Sequence, residues 1–345
     1  MSDMSIRCNS CDAVEIPLGS TLYEVYDRCG IDMLCGPRTA GQVNAVVKAG
    51  RAIVDLINVS ETMQERKLAR MADEIVERGA RIVLIAGPSS SGKTTTSKRL
   101  AIQLMTLGKR PHTISTDDYF VNRVDTPLGE NGAYDFECIG AVDTDFFNLQ
   151  MSQLLSGEEI ELPRYDFQLG ERVSSGRKLK ISADDIIVLE GNHALNPVMS
   201  AQIGESDKYR IYVAPLTSIE LDDHSFVSTV DIRLLRRILR DYSYRGYSAR
   251  ETIHRCPSVT AGEEKWITPY RGNADATFDS TLPYELGVIR DRVMPILEEV
   301  DEHEPEYAEA LRLRKCLSCF TSVPGEKVPL TSLLREFAGG SSFKY

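Results

Sequence analysis

The chain has 345 residues, 42% of them hydrophobic and 26% charged, with 51 acidic against 40 basic residues and a formal charge of −11. At roughly 150 residues per domain it holds about two units, and its acidity speaks against general nucleic-acid binding, which leaves a basic footprint. No apolar run nears the roughly 20 residues that span a bilayer and MSDMSIRCNSCD lacks a secretory layout, so the expectation is a cytoplasmic protein without a membrane partner.

Residues 1–58 read as a small α+β module. In AVEIPLGSTLYEVYD a strand leads to a turn at Gly19 and a helix capped by Ser20 or Thr21. GQVNAVV reads as another strand. Cys8 and Cys11 have CxxC spacing, as do Cys316 and Cys319. Zinc takes four ligands, and Cys29 and Cys35 would complete a four-thiolate site with the first pair. Scattered reduced thiols are the simpler reading in a cytoplasmic chain.

Residues 60–79 pattern as a helix, with Leu68, Met71, Ile75 and Val76 on one face. RIVLIAG is a short apolar run rich in β-branched residues, hence a buried strand of a parallel sheet. SKRLAIQLMTLG reads as a helix closed by Gly108. HTISTDDYF, DIIVLEGNHAL and YRIYVAP read as further strands. Strands and helices alternate, so the fold class is α/β with a doubly wound parallel sheet. Beyond 281, PYELGVIRDRVMPILEEV and EPEYAEALRLRKCLSCF read as helices, and REFAGGSSF as a terminal turn. The expected domains are 1–58, 59–280 with an arginine lid around 230–255, and a helical extension over 281–345 packed on the second.

Between the first strand and its helix, Gly87-Pro88-Ser89-Ser90-Ser91-Gly92-Lys93-Thr94 fits G-x-x-x-x-G-K-[ST] throughout. Glycines let the backbone curl so that successive N–H groups face phosphate oxygens. The helix that follows offers its positive end to the same anion. Lys93 would bridge the β- and γ-phosphates of ATP, and Thr94 would hold Mg²⁺. Gly87, Ser89, Ser90, Ser91, Gly92, Lys93, Thr94 and Thr95 are therefore the expected nucleotide contacts. A guanine-reading N/T-K-x-D and a transporter-type LSGGQ are both missing from the chain.

Acids stand at two strand ends. Asp117 and Asp118 close HTISTDDYF, at the edge where open α/β sheets bind ligands. Asp117 is the expected catalytic base for a hydroxyl, and a metal candidate with Thr94 and Glu190. Glu190 ends DIIVLE, where a carboxylate can bind Mg²⁺ directly or through water. In VDIRLLRRILRDYSYRGYSAR, Arg233, Arg236, Arg237 and Arg240 recur at i, i+3, i+4 and i+7 and share one helix face. A lid closing these over the γ-phosphate is the expectation.

These stretches together resemble the uridine kinase branch of the phosphoribulokinase/uridine kinase family. The shared motifs are GPSSSGKTT, TDDYF, YDF at 134–136 and 165–167, VLEGNHAL and VDIRLLRRILRDYSYRG, over about 80–275. The N-terminal IPLGSTLYEV resembles a shortened TGS-type module of ubiquitin-like fold. The resemblance implies a catalytic Asp117, an Asp135 gripping ribose hydroxyls, and Tyr165 and Phe167 holding a base. It implies that Arg237, Arg240 and Arg245 contact phosphates or substrate, with Lys93 and Arg240 sharing the catalytic work. Two positions depart from the family. Gly170 stands where a histidine helps read the pyrimidine, and Tyr247 replaces a lid arginine. Arg172, Arg164 and His193 are candidates for new acceptor contacts. The implied activity is phosphorylation of a small-molecule hydroxyl, on uridine or cytidine first, with a sugar, polyol or hydroxy acid as the alternative. A nucleotide-dependent regulatory protein is the reading from another class. The resemblance leaves a homo-oligomer open.

Overall fold

The computed structural model of the protein describes residues 15–129, 132, 134–222 and 224–345. In chain order, α1 (Leu22–Cys29), α2 (Ala40–Lys48) and α3 (Ala52–Arg78) precede β1 (Ile82–Ala86) and α4 (Lys93–Thr106). Next come β2 (Arg110–Ser115), α5 (Thr144–Leu155), β3 (Ile160–Asp166), β4 (Glu171–Leu179), β5 (Asp185–Glu190) and β6 (Lys208–Ala214). Then follow β7 (Ile219–Glu220), β8 (Phe226–Val227), α6 (Thr229–Tyr244), α7 (Ala249–Trp266) and β9 (Ala276–Asp279). The chain closes with α8 (Glu285–Glu298), α9 (Tyr307–Ser318) and α10 (Arg335–Ala338).

Contacts divide the chain into two units. Among the described residues, one comprises 66–214 and 257–278; the other comprises 15–65, 215–256 and 279–345. The division expected at 58 and 280 does not match this. Position 58 falls inside α3, and the C-terminal helices share a core with the N-terminal ones.

The first unit is built on a five-stranded sheet in the order β2-β5-β1-β6-β9. β1 pairs in parallel with β5 (Val83 opposite Val188) and with β6 (Val83 opposite Tyr209), and β2 pairs in parallel with β5. All five residues of β1 are buried, which is why its sequence is continuously apolar rather than alternating. Leu84, Ile114, Tyr119, Phe147, Met151 and Leu189 anchor one core of this unit. The chain leaves β1 toward β2 on one side, and β6 lies on the other. Such a switch point opens a crevice above the strand's carboxyl end, where Gly87–Thr94 begin. β3 and β4 form a separate antiparallel hairpin.

In the second unit, α1 starts as its sequence predicts. The Thr21 hydroxyl accepts the Glu24 N–H, and the Glu24 carboxylate accepts the Thr21 N–H, a reciprocal cap. GQVNAVV is not a strand but α2. Its start is fixed the same way, by Thr39 and Gln42, and this local capping outweighs the β-propensity of three valines. Among described residues 15–65 there are three helices and an isolated bridge at Thr39, so nothing described supports an ubiquitin-like sheet. The residues of that expected module before 15, Cys8 and Cys11 included, lie outside the described residues.

The arginine face of α6 also differs from expectation. Arg233, Arg236 and Arg237 are buried. Arg236 donates to Ser280 O at 2.9 Å, Ser280 Oγ at 3.2 Å and Glu285 Oε2 at 2.5 Å. Leu235, Ile238 and Leu239 on the other side join Val43, Leu56, Ile289 and Leu317 in the same core. The helix is thus packed on both sides, because internal acceptors take up the guanidinium of Arg236.

Candidate functional site

The phosphate-loop residues lie in the sheet unit. Gly87 admits no side chain: a Cβ there would stand 1.9 Å from Val213 O and 2.9 Å from Ser91 Oγ. Ser90 (φ +62°) alone among described non-glycine residues takes a positive φ, and Gly92 (φ +89°) caps α4. The hydroxyls of Ser90 and Ser91 are buried without a hydrogen-bond partner among the described residues. Buried polar groups ordinarily have partners. Two orphaned hydroxyls beside a helix N-terminus fit an anionic ligand. Thr94 is half-buried in the first turn of α4, and Thr95 is fully buried. Lys93 is buried, and its ammonium donates to Gly87 O, Pro88 O and Asn192 Oδ1 at 2.9, 3.2 and 2.8 Å.

The two acids after β2 have different surroundings. Asp117 is exposed on a short 3-10 turn, Thr116–Tyr119. Asp118 turns to the hairpin and accepts the Tyr165 N–H at 3.2 Å; burial raises its carboxyl above the ordinary range. Asp117 is therefore the acid presented to solvent, and Asp118 positions β3. Glu190 is half-buried at the end of β5 and accepts from Ser115 Oγ at 3.1 Å. The same Ser115 oxygen accepts the Asp117 N–H at 3.3 Å. Gly191 lets these strand ends meet, since a Cβ there would lie 1.7 Å from Thr116 Oγ1.

Thr94, Asp117 and Glu190 are hard oxygen donors, suited to Mg²⁺. No group of three or more His, Cys, Asp or Glu among the described residues could hold a metal.

The hairpin carries an aromatic group. Phe120, Tyr165 and Phe167 meet edge to face, with centroids 5.5 Å (Phe120–Tyr165), 6.4 Å (Phe120–Phe167) and 5.1 Å (Tyr165–Phe167) apart. Tyr165 is buried and Phe167 exposed. Asp135 is half-buried, and its Oδ1 accepts the Glu137 N–H at 3.1 Å. His193 is 4% exposed, and its Nδ1 has no hydrogen-bond partner among the described residues. Burial, with the Lys93 charge adding to it, pushes the imidazole down to about 4, so the ring is neutral near pH 7.

Other expected contacts are engaged elsewhere. Arg172 donates to Asp143 Oδ2 at 2.8 Å and lies over the Phe146 ring, which ties β4 to the start of α5. Arg164 is largely exposed, 3.9 Å from Asp166. Gly170 sits at φ +75° in the hairpin turn, where a Cβ would be 2.8 Å from the Arg123 guanidinium. Glycine suits that positive φ. In the other unit, Tyr247 lies under the Arg255 guanidinium at 4.2 Å. Arg240 Nε donates to Asp241 Oδ1 at 2.9 Å, Arg245 Nε is 3.7 Å from the same oxygen, and Arg237 is buried.

Sequence reasoning passed over Ser115, Phe120 and Asn192. Only Phe120 carried a signal, as the aromatic that ends TDDYF.

Residues 82–283 match the model of the phosphoribulokinase / uridine kinase family. The chain belongs to that family. The match spans over half of the chain and covers the phosphate loop, both acidic strand ends and the hairpin. The chain is 32% identical over 195 residues to a uridine kinase of Limosilactobacillus reuteri, covering 56% of this chain and 80% of that protein. It is 30% identical over 193 residues to a uridine kinase of Halobacterium salinarum, covering 55% of this chain and 76% of that one. Among solved structures, a D-glycerate 3-kinase from Cryptococcus neoformans aligns with TM-score 0.40 and 14% identity over 64% of this chain and 97% of that one, a likeness too low to bear on the assignment. This family member is a P-loop phosphotransferase, of a kind that uses ATP and a small-molecule acceptor. No helix among the described residues is long and apolar enough to cross a membrane.

Proposed function

We propose that the protein transfers the γ-phosphate of ATP to a hydroxyl of a nucleoside of the uridine or cytidine type. The observation that carries this is an exposed Asp117 at the carboxyl edge of the sheet that also bears Lys93 and the orphaned Ser90 and Ser91 hydroxyls. Asp117 accepts the proton of the attacking hydroxyl, in the manner of phosphotransferase carboxylates. Main-chain N–H groups at the start of α4, with Lys93, hold and neutralise the phosphates. Bound Mg²⁺ would supply charge neutralisation across the phosphates; Thr94, Glu190 and Asp117 are the residues proposed to hold it. The family resemblance supports Arg237, Arg240 and Arg245 as phosphate or substrate contacts. The rings of Phe120, Tyr165 and Phe167 suit a planar base, and Asp135 suits paired hydroxyls.

Gly170 favours a second reading, the same transfer to a sugar, polyol or hydroxy acid. With a turn glycine at that place, the hairpin offers no polar side chain there to discriminate a base, and such discrimination rests on hydrogen-bonding partners. The test is ADP release with Mg-ATP across nucleosides, sugars, polyols and hydroxy acids, with the product identified by mass. Turnover limited to uridine or cytidine supports the first reading. Turnover with a non-nucleoside alone supports the second. Silence across the panel, with ATP still bound, contradicts both.

A further inference from the structure

An ammonium has three N–H donors, and the hydrogen bonds of Lys93 use all three. A phosphate oxygen can be engaged only after one of these bonds opens. Two of the acceptors are main-chain carbonyls. Gly87 is wedged against Val213 O, and Pro88 O also accepts the Ser91 N–H at 3.2 Å. The third acceptor, Asn192 Oδ1, belongs to a side chain that can rotate, two residues beyond Glu190 in EGNHAL. It is the bond that yields most readily.

We propose that Asn192 is the resting partner of Lys93, a positioning residue that holds the ammonium against the loop until a nucleotide phosphate replaces it. This rests on the reading of Gly87–Thr94 as the phosphate loop. It follows that the Lys93–Asn192 bond opposes nucleotide binding and hastens nucleotide release. A hydrogen bond to a buried charged group is strong enough to shift affinity by about tenfold.

The test is calorimetric measurement of ADP and ATP affinity, without acceptor, on the wild type, Asn192→Leu, Asn192→Ala, Lys93→Met and the Lys93→Met/Asn192→Leu double variant, each checked by thermal unfolding. The expected result is ADP binding roughly 3–10-fold tighter in Asn192→Leu, with that gain lost in the Lys93→Met background, as a double-mutant cycle reads coupling. Damage to packing weakens binding, so a gain is not a structural side effect; Asn192→Ala gives the same direction if the leucine fits poorly. Unchanged affinity, or weaker binding that persists without Lys93, overturns the proposal and leaves the phosphate-loop reading standing. A folded wild type that binds neither nucleotide overturns both.

Discussion

Ser115 Oγ donates to Glu190 Oε1 at 3.1 Å and accepts the Asp117 N–H at 3.3 Å. One hydroxyl thus joins the ends of two neighbouring parallel strands and sets the spacing of the two acids proposed to act on phosphate. Ser115→Ala removes both bonds from a half-buried position. The expected effect is a fall in kcat of about tenfold with a stability loss of only about 1 kcal/mol. Steady-state kinetics beside chemical denaturation check it; an unchanged kcat would mean the acids are held by other contacts.

Gly170 is required by its backbone, on this account. Gly170→Ala puts a Cβ at positive φ and against the Arg123 guanidinium. The left-handed conformation alone costs about 1–2 kcal/mol. Gly170→His, which introduces the histidine that the resemblance implies there, is expected to lose at least as much and to gain no affinity for uridine. Denaturation midpoints and uridine KM test this; a stable variant with a lowered KM contradicts it.

Arg236 and Glu285 form a fully buried pair. Arg236→Met leaves Glu285 without its counter-charge, expected to lose about 3–5 kcal/mol, whereas Arg236→Met with Glu285→Leu recovers most of it. Urea unfolding of the single and double variants decides. Equal losses in both would show that packing, not charge, fixes α6.

Asp185 gives a pH signature. Burial works against its ionisation, but the Ser182 hydroxyl and N–H, the His112 ring and Arg110 outweigh that and hold it at about 2, below its ordinary 3.8. A depressed folded pKa contributes stability above the unfolded value, and that contribution is lost as pH falls through the folded one. The melting-temperature gap between wild type and Asp185→Asn is therefore expected to shrink between pH 5 and pH 2. A gap that stays constant over this window contradicts the assignment.

Much of the sheet unit was legible because its signals are local. The phosphate loop has fixed spacing, β1 is an unbroken apolar run, and Thr21 announces a helix start through Glu24. Non-local relations were not legible. Ser115 and Asn192 are ordinary polar residues in sequence, and their partners lie 75 and 99 positions away. The arginines of α6 read as one charged face because the internal acceptors, Ser280 and Glu285, come 44 and 49 positions later than Arg236. GQVNAVV misled because its valines suit a strand, and the Thr39–Gln42 cap that makes it a helix begins just before the run. That described residues 15–65 share a core with 279–345 leaves no local mark.

The most direct test of the central claim is Asp117→Asn, assayed for phosphoryl transfer to the best acceptor and, separately, for ADP affinity. The account predicts kcat lower by about 10²–10⁴-fold, the range for a lost general base, with ADP binding within about threefold of wild type. A kcat within tenfold of wild type would show that Asp117 is not the base and that the proposed chemistry is wrongly placed.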